Sequence, residues 1–150
     1  MNSRRRRGFE AERELVRKLW KCGFAAIRGP ASGSKIKKGV YPDVVALYRG
    51  RIFVFEVKSR SKLTTVYLDN EQVEKLRIFS ERAGGIPLIA LKIRALRVWK
   101  IIPLEHVVCR ETRCSIPRDV IETSTDLDTF IKKILTKPLD EFVSDASRGA

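Results

Sequence analysis

Glu12, Asp43, Glu56 and Lys58 have the types and spacing to hold a hard metal ion beside a cation. Asp43–Tyr48 and Ile52–Lys58 are apolar, β-branched and aromatic runs around Arg49-Gly50, which predicts a hairpin. With Arg49-Gly50 as a two-residue loop, cross-strand partners sum to 99, and Asp43 falls directly opposite Glu56. Partners so placed have Cβ atoms about 5 Å apart, where two like charges destabilise a sheet. Lys58 lies two residues beyond Glu56 on the same face. Both faces of the hairpin are otherwise apolar, with Val45, Leu47, Ile52 and Val54 on one side and Val44, Ala46, Phe53 and Phe55 on the other. The acids therefore sit at the end of a buried strand pair. A divalent cation would turn their repulsion into attraction, and hard oxygen ligands suit Mg²⁺. The plainer alternative has Asp43 starting its strand in solvent and Glu56 pairing with Lys58. A bulged, odd-length loop would slip the register by one and undo the pairing.

Glu12 adds a third acid. In the helix expected over residues 9–22 it lies between Leu15, Val16 and Leu19, while Glu10 and Glu14 point to the polar face. A carboxylate in a packing stripe costs free energy unless something satisfies it. Two partners fit: an arginine such as Arg28, or a metal shared with Asp43 and Glu56.

The elements that must position these groups follow from pattern and punctuation. After the first helix come a short strand at 24–28, a Gly/Ser/Pro/Lys loop at 29–42 and the hairpin. Asp69 with Gln72 predicts a capping box opening a helix that Gly84-Gly85 stops near residue 83. Strands follow at 87–92 and 97–102, and a helix at 125–135; residues 104–123 carry no clear pattern. The order predicts an α/β fold with a mixed central sheet flanked by helices. Residues 1–8 read as a flexible basic arm, 9–136 as a single domain and 137–150 as a disordered tail.

Charge narrows the partner. The chain carries 31 Lys+Arg against 18 Asp+Glu, a net charge of +13. The excess is +9 over residues 1–40 and +6 over 41–104, and turns to −2 beyond. Such an imbalance repels itself and favours a polyanionic partner, nucleic acid first. Arg4, Arg5, Arg6 and Arg7 would contact phosphates, with Lys35, Lys37 and Lys38 repeating the theme in the loop; a solubilising tail and solvated loop are the alternative. No apolar run reaches the ~20 residues of a membrane span, and no signal-peptide pattern opens the chain. Three cysteines, Cys22, Cys109 and Cys114, cannot all pair, which suggests a reducing compartment; a Cys109–Cys114 bridge stays open. One histidine, no CxxC, no G-x-S-x-G and no P-loop exclude a zinc ribbon, a serine hydrolase of that type and a P-loop NTPase.

The Arg/Lys-rich start with Gly8, Glu12-Arg13-Glu14-Leu15, Gly23-Phe24-Ala25 leading to Arg28, Pro30-Ala31-Ser32-Gly33-Ser34, Pro42-Asp43-Val44-Val45-Ala46 and Glu56-Val57-Lys58-Ser59-Arg60 together form a string. It closely resembles the archaeal Holliday junction resolvases of the PD-(D/E)xK nuclease superfamily. Gln72 and Phe79–Pro87 continue the likeness, which spans about residues 4–104. The resemblance implies a restriction-endonuclease-like fold and a cytoplasmic homodimer that cuts four-way DNA junctions. It implies Mg²⁺, with Mn²⁺ able to substitute, on Glu12, Asp43, Glu56 and the Val57 carbonyl. Lys58 and Ser32 would complete the catalytic set, and Arg13, Arg28 and Arg60 would join the DNA-contacting residues. The competing readings are a superfamily relative that cuts other DNA and a non-catalytic nucleic-acid binder.

Overall fold

The first helix, α1 (Ser3–Lys21), starts at Ser3 rather than Phe9, so the flexible arm expected at residues 1–8 is a correction: Arg4–Arg7 are helical. Arginine is a good helix former, and the Asn2 side chain accepts a hydrogen bond from the Arg4 N–H at 3.1 Å to cap the start. Arg6 pairs with Glu10 one turn on. The structure, a computed structural model, describes residues 2–30 and 39–136. Ser32, Lys35, Lys37, Lys38 and the segment 137–150 therefore lie outside the described residues.

Ala11, Leu15 and Leu19 form the buried stripe of α1. Leu15 and Leu19 are fully buried, each contributing roughly 1.5–3 kcal/mol. Trp20, apolar though it is, departs from this stripe and lies exposed, its indole N–H donating to the Ala26 carbonyl at 2.7 Å. Glu14 also departs from its expected polar face. It is half-buried, paired with Lys92, and accepts from the Trp99 indole at 3.2 Å.

Strand β1 (Ala25–Arg28) pairs antiparallel with β2 (Val44–Tyr48), which turns into β3 (Arg51–Arg60). The ladder runs from Val44↔Phe55 to Tyr48↔Arg51, the predicted register. Arg49 (φ 46°) and Gly50 (φ 84°) both take left-handed backbone, as a tight two-residue hairpin turn requires. Next come β4 (Val66–Leu68) and α2 (Asn70–Ala83), with the Gln72 side chain accepting from the Asp69 N–H at 3.3 Å. Gly84 stops α2 at φ 67°. Strand β5 (Ile86–Ile93) lies parallel to β3, the alignment that a helical crossover permits, and β6 (Val98–Pro103) pairs antiparallel with β5.

The patternless stretch resolves into short elements: β7 (Val108–Cys109), β8 (Cys114–Ile116) and α3 (Arg118–Thr123). Cys109 and Cys114 face each other in register and are joined by a disulfide, leaving Cys22 free. The chain closes with β9 (Thr125–Asp126) and α4 (Leu127–Leu135).

The result is a mixed sheet in the order β1-β2-β3-β5-β6-β9 and a small sheet in the order β4-β8-β7. Strand alternation splits the core. Val44, Ala46, Phe53, Phe55 and Val57 pack under α1 and α4. Val54, Ile89, Leu91 and Ile93 pack under α2 and the small sheet. Leu76 and Phe79 of α2 belong to that second core, so most of this helix's apolar surface already faces the sheet.

Candidate active site

The site forms where the β2–β3 hairpin opens. Asp43 immediately precedes β2, and its N–H donates to the carbonyl of Phe55, the residue already paired with Val44, so the ladder ends there in a bulge. The expected direct Asp43–Glu56 backbone pair is therefore not formed, although the two carboxyl groups still meet at the hairpin mouth. Asp43 Oδ2 accepts the Val57 N–H at 2.8 Å, fixing the carboxylate against β3. On the neighbouring strand, the Gly29 N–H donates to the Asp43 carbonyl at 2.9 Å. Gly29 is required there, because a Cβ would come within 1.9 Å of the Pro42 carbonyl oxygen.

The two carboxyl groups are hydrogen-bonded to each other. Glu56 is the more readily protonated of the two. Burial first, then the Asp43 charge, push its pKa up to about 8, with the Glu12 charge adding to the rise and Lys58 opposing it. Burial also raises Asp43, against the Val57 N–H and the Lys58 charge. Glu12 is raised by burial and by Asp43, while Arg28 pulls it down. All three acids therefore feel one another.

Glu12 meets the arginine that is one of its two expected partners. Arg28 donates to its Oε2 from Nε at 3.0 Å and from Nη2 at 2.8 Å. The side chain also faces the Asp43–Glu56 pair closely enough to shift it. Among the described residues no three acids form a group ready to hold a metal ion, and Arg28 holds Glu12. The donor set nevertheless fits a hard cation. Two carboxyl groups buried together, with the Asp43 charge helping to push Glu56 up, mark a position short of positive charge that an arriving cation would supply.

Lys58 completes the cluster, with Nζ 3.7 Å from Glu56 Oε1. It also donates to the Gln72 side-chain oxygen at 3.2 Å. Gln72 is also the N3 partner of Asp69 in the α2 capping box, a role that accounts for it in the sequence, so its second bond to Lys58 carries no local signal. Arg13 is exposed, and a groove lined by Arg13, Arg17 and Arg28 runs along α1 beside the acids. Arg60 is half-buried two residues beyond Lys58.

Hard acids gathered at the mouth of a hairpin, with a lysine beside them on a mixed sheet, make a site of the metal-dependent nuclease class. A profile of the archaeal Holliday junction resolvase (Hjc) family matches residues 3–138, and the chain belongs to that family. It is 36% identical over 147 residues to the crossover junction endodeoxyribonuclease Hjc of Sulfurisphaera tokodaii, covering 95% of this chain and 100% of that protein. It is 45% identical over 92 residues to the Hjc of Methanocaldococcus jannaschii, covering 61% of this chain and 63% of the relative. The structure of Archaeoglobus fulgidus Hjc, a Holliday junction resolvase, aligns with a TM-score of 0.73 at 30% identity, covering 83% of this chain and 99% of that one.

Proposed function

We propose that this chain is a metal-dependent endonuclease that resolves four-way DNA junctions by paired, symmetric phosphodiester hydrolysis. The observation that carries this reading is the buried Asp43–Glu56 pair beside Glu12 and Lys58, in a chain of the Hjc family. Glu12, Asp43 and Glu56, with the Val57 carbonyl, would hold Mg²⁺ or Mn²⁺. When bound, that ion supplies charge neutralisation and an acidified water for in-line attack on phosphorus.

The chain's own residues do the rest. The Val57 N–H and the β2–β3 ladder hold Asp43 in one orientation, so little rearrangement is needed when a substrate arrives. Lys58, on a rigid strand and steadied by Gln72, places a cationic donor where charge develops on the phosphoryl oxygens. Ser32 would add a hydrogen bond to the scissile phosphate. Arg28, released from Glu12 or shared with it, and Arg13 would hold flanking phosphates. Arg4–Arg7, one helical turn at the start of α1, would present a basic collar to the DNA backbone, and Arg60, Lys35, Lys37 and Lys38 would extend the contact. A four-way junction is two-fold symmetric, so a homodimer carrying two such sites matches its two cuts.

The test offers labelled four-way junction and linear duplex to wild type and Asp43→Asn with Mg²⁺. Wild type should place paired symmetric nicks in the junction only. Asp43→Asn should lose at least ~10³-fold in rate while junction affinity stays within about threefold. Equal cutting of linear duplex would move the chain to another nuclease specificity, and uncut junction bound equally by both proteins would leave a non-catalytic binder.

A further inference from the structure

A cavity of about 620 Å³ opens beside the carboxylate cluster, where the C-terminal end of β3 meets the start of α1 and the turn between β5 and β6. Its charged lining is entirely basic: Arg4, Arg7, Lys58, Arg60 and Arg94. Ser59 supplies a hydroxyl, to which Arg94 donates at 2.7 Å, and Arg60 donates to the Ser59 carbonyl at 3.0 Å. Neither Arg60 nor Arg94 is in an ion pair among the described residues.

This arrangement is costly without a ligand. Burial, then the charges of Arg94 and Arg4, push the Arg60 pKa down. Guanidinium groups that crowd one another with no acid among them lack the counter-charge that partly buried cations normally acquire. The fork of an arginine matches phosphate oxygens, and two forks with a hydroxyl make a directional cradle. The cavity is large enough for a phosphate with its attached sugar.

Position identifies which phosphate. Lys58 lines the cavity and also lies 3.7 Å from Glu56 Oε1, so the cavity and the acid cluster share a wall. Arg60 is two residues further along β3, about 6.6 Å at strand rise, a span of one or two nucleotide steps. Resting on the junction-nuclease reading above, we infer that Arg60, Arg94 and Ser59, flanked by Arg4 and Arg7, form a second phosphate-binding site for a non-scissile phosphodiester within two nucleotides of the cut. The site fixes the register of the strand, and its geometry sets which bond reaches Lys58 and the acids.

The test measures junction binding in EDTA, so that nothing is cut, with a single neutral methylphosphonate walked across the positions around the scissile bond. Wild type, Arg60→Gln and Arg94→Gln are compared. One non-scissile position within two nucleotides of the cut should weaken wild-type binding about tenfold when neutralised, and should weaken neither variant further, because contact and partner are then already lost. Each variant should also lower the slope of log affinity against log salt by about 1. Additive losses at every position, or variants with wild-type affinity and slope, would overturn the assignment. Inorganic phosphate is the control ligand. A thermal shift with phosphate that both variants lose, without a coupled position in the walk, would make the cavity a free-anion site and overturn the strand contact. Failure of the junction reading looks different: wild type would then bind duplex and junction alike, whatever the walk shows. Two variants at separate positions, each checked by circular dichroism, keep a folding defect in one from deciding the outcome.

Discussion

At Glu56 the fold favours the protonated carboxyl over the ionised one. Its carboxyl is pushed from the ordinary 4.5 to about 8, chiefly by burial and by Asp43. A raised pKa means the folded state binds protons more tightly, so this contribution is full below about pH 4.5 and is lost as pH rises through about 8. Asp43 and Glu12 are raised too and act in the same sense. In Glu14 burial is outweighed by the bonds from Lys92 and Trp99, so its lowered pKa acts oppositely, in the acid range. In EDTA, the Tm should therefore fall between pH 5 and pH 8, and Glu56→Gln should remove most of the fall. At pH 8, Mg²⁺ should raise the Tm of wild type but not of Glu56→Gln. A flat wild-type profile in EDTA would contradict the raised Glu56 pKa. Much of this was legible in the residues, because an Asp and a Glu brought together at the mouth of a short hairpin must repel. For Glu12 the residues narrowed the partner to Arg28 or a metal without choosing, since a helical wheel shows that a side chain is half-buried without showing what meets it.

Elements act here by pinning one another at a few backbone contacts. The Gly29 N–H bonded to the Asp43 carbonyl joins the end of β1 to the residue before β2, and the absent Cβ of Gly29 makes room for the Pro42 carbonyl. Gly29→Ala should push these segments apart, costing about 1–3 kcal/mol by overpacking. It should also lower cleavage more than junction binding, because Asp43 moves with the segment. Thermal unfolding and single-turnover assays check both, and an unchanged Tm would show that the contact is slack. The hairpin, the α2 capping box and the sheet strands could be read from turn residues and periodicity, which are local signals. The short elements between β6 and α4 could not. Strands of two or three residues carry too little pattern: β7 and β8 form where β4 and the Cys109–Cys114 bridge gather them into a second small sheet, and β9 where it adds to the edge of the main one. Asn70, at the start of α2, holds the tip of that hairpin by donating to the Arg110 and Glu111 carbonyls.

Across the whole molecule, charge is the dominant feature. A net charge of +13, concentrated before residue 105, should make junction binding depend steeply on salt. With six or more phosphates contacted, affinity should drop about 10³-fold between 50 and 200 mM salt. Titrations over that range check it, and a slope near 2 would mean that most of the arginines face away from DNA. Among the described residues no helix is long and apolar enough to cross a membrane. The sequence alone determined the hairpin register, the acids at its mouth, the basic excess and the α/β order, because each depends on neighbours in the chain or on a sum over it. Only the tertiary structure decided that Glu12 is shared between Arg28 and the acid pair, that Gln72 steadies Lys58, and that Arg60 and Arg94 wall a cavity beside them. Those are meetings of side chains from different elements, and their distances depend on how helices pack across a sheet, which no local pattern encodes.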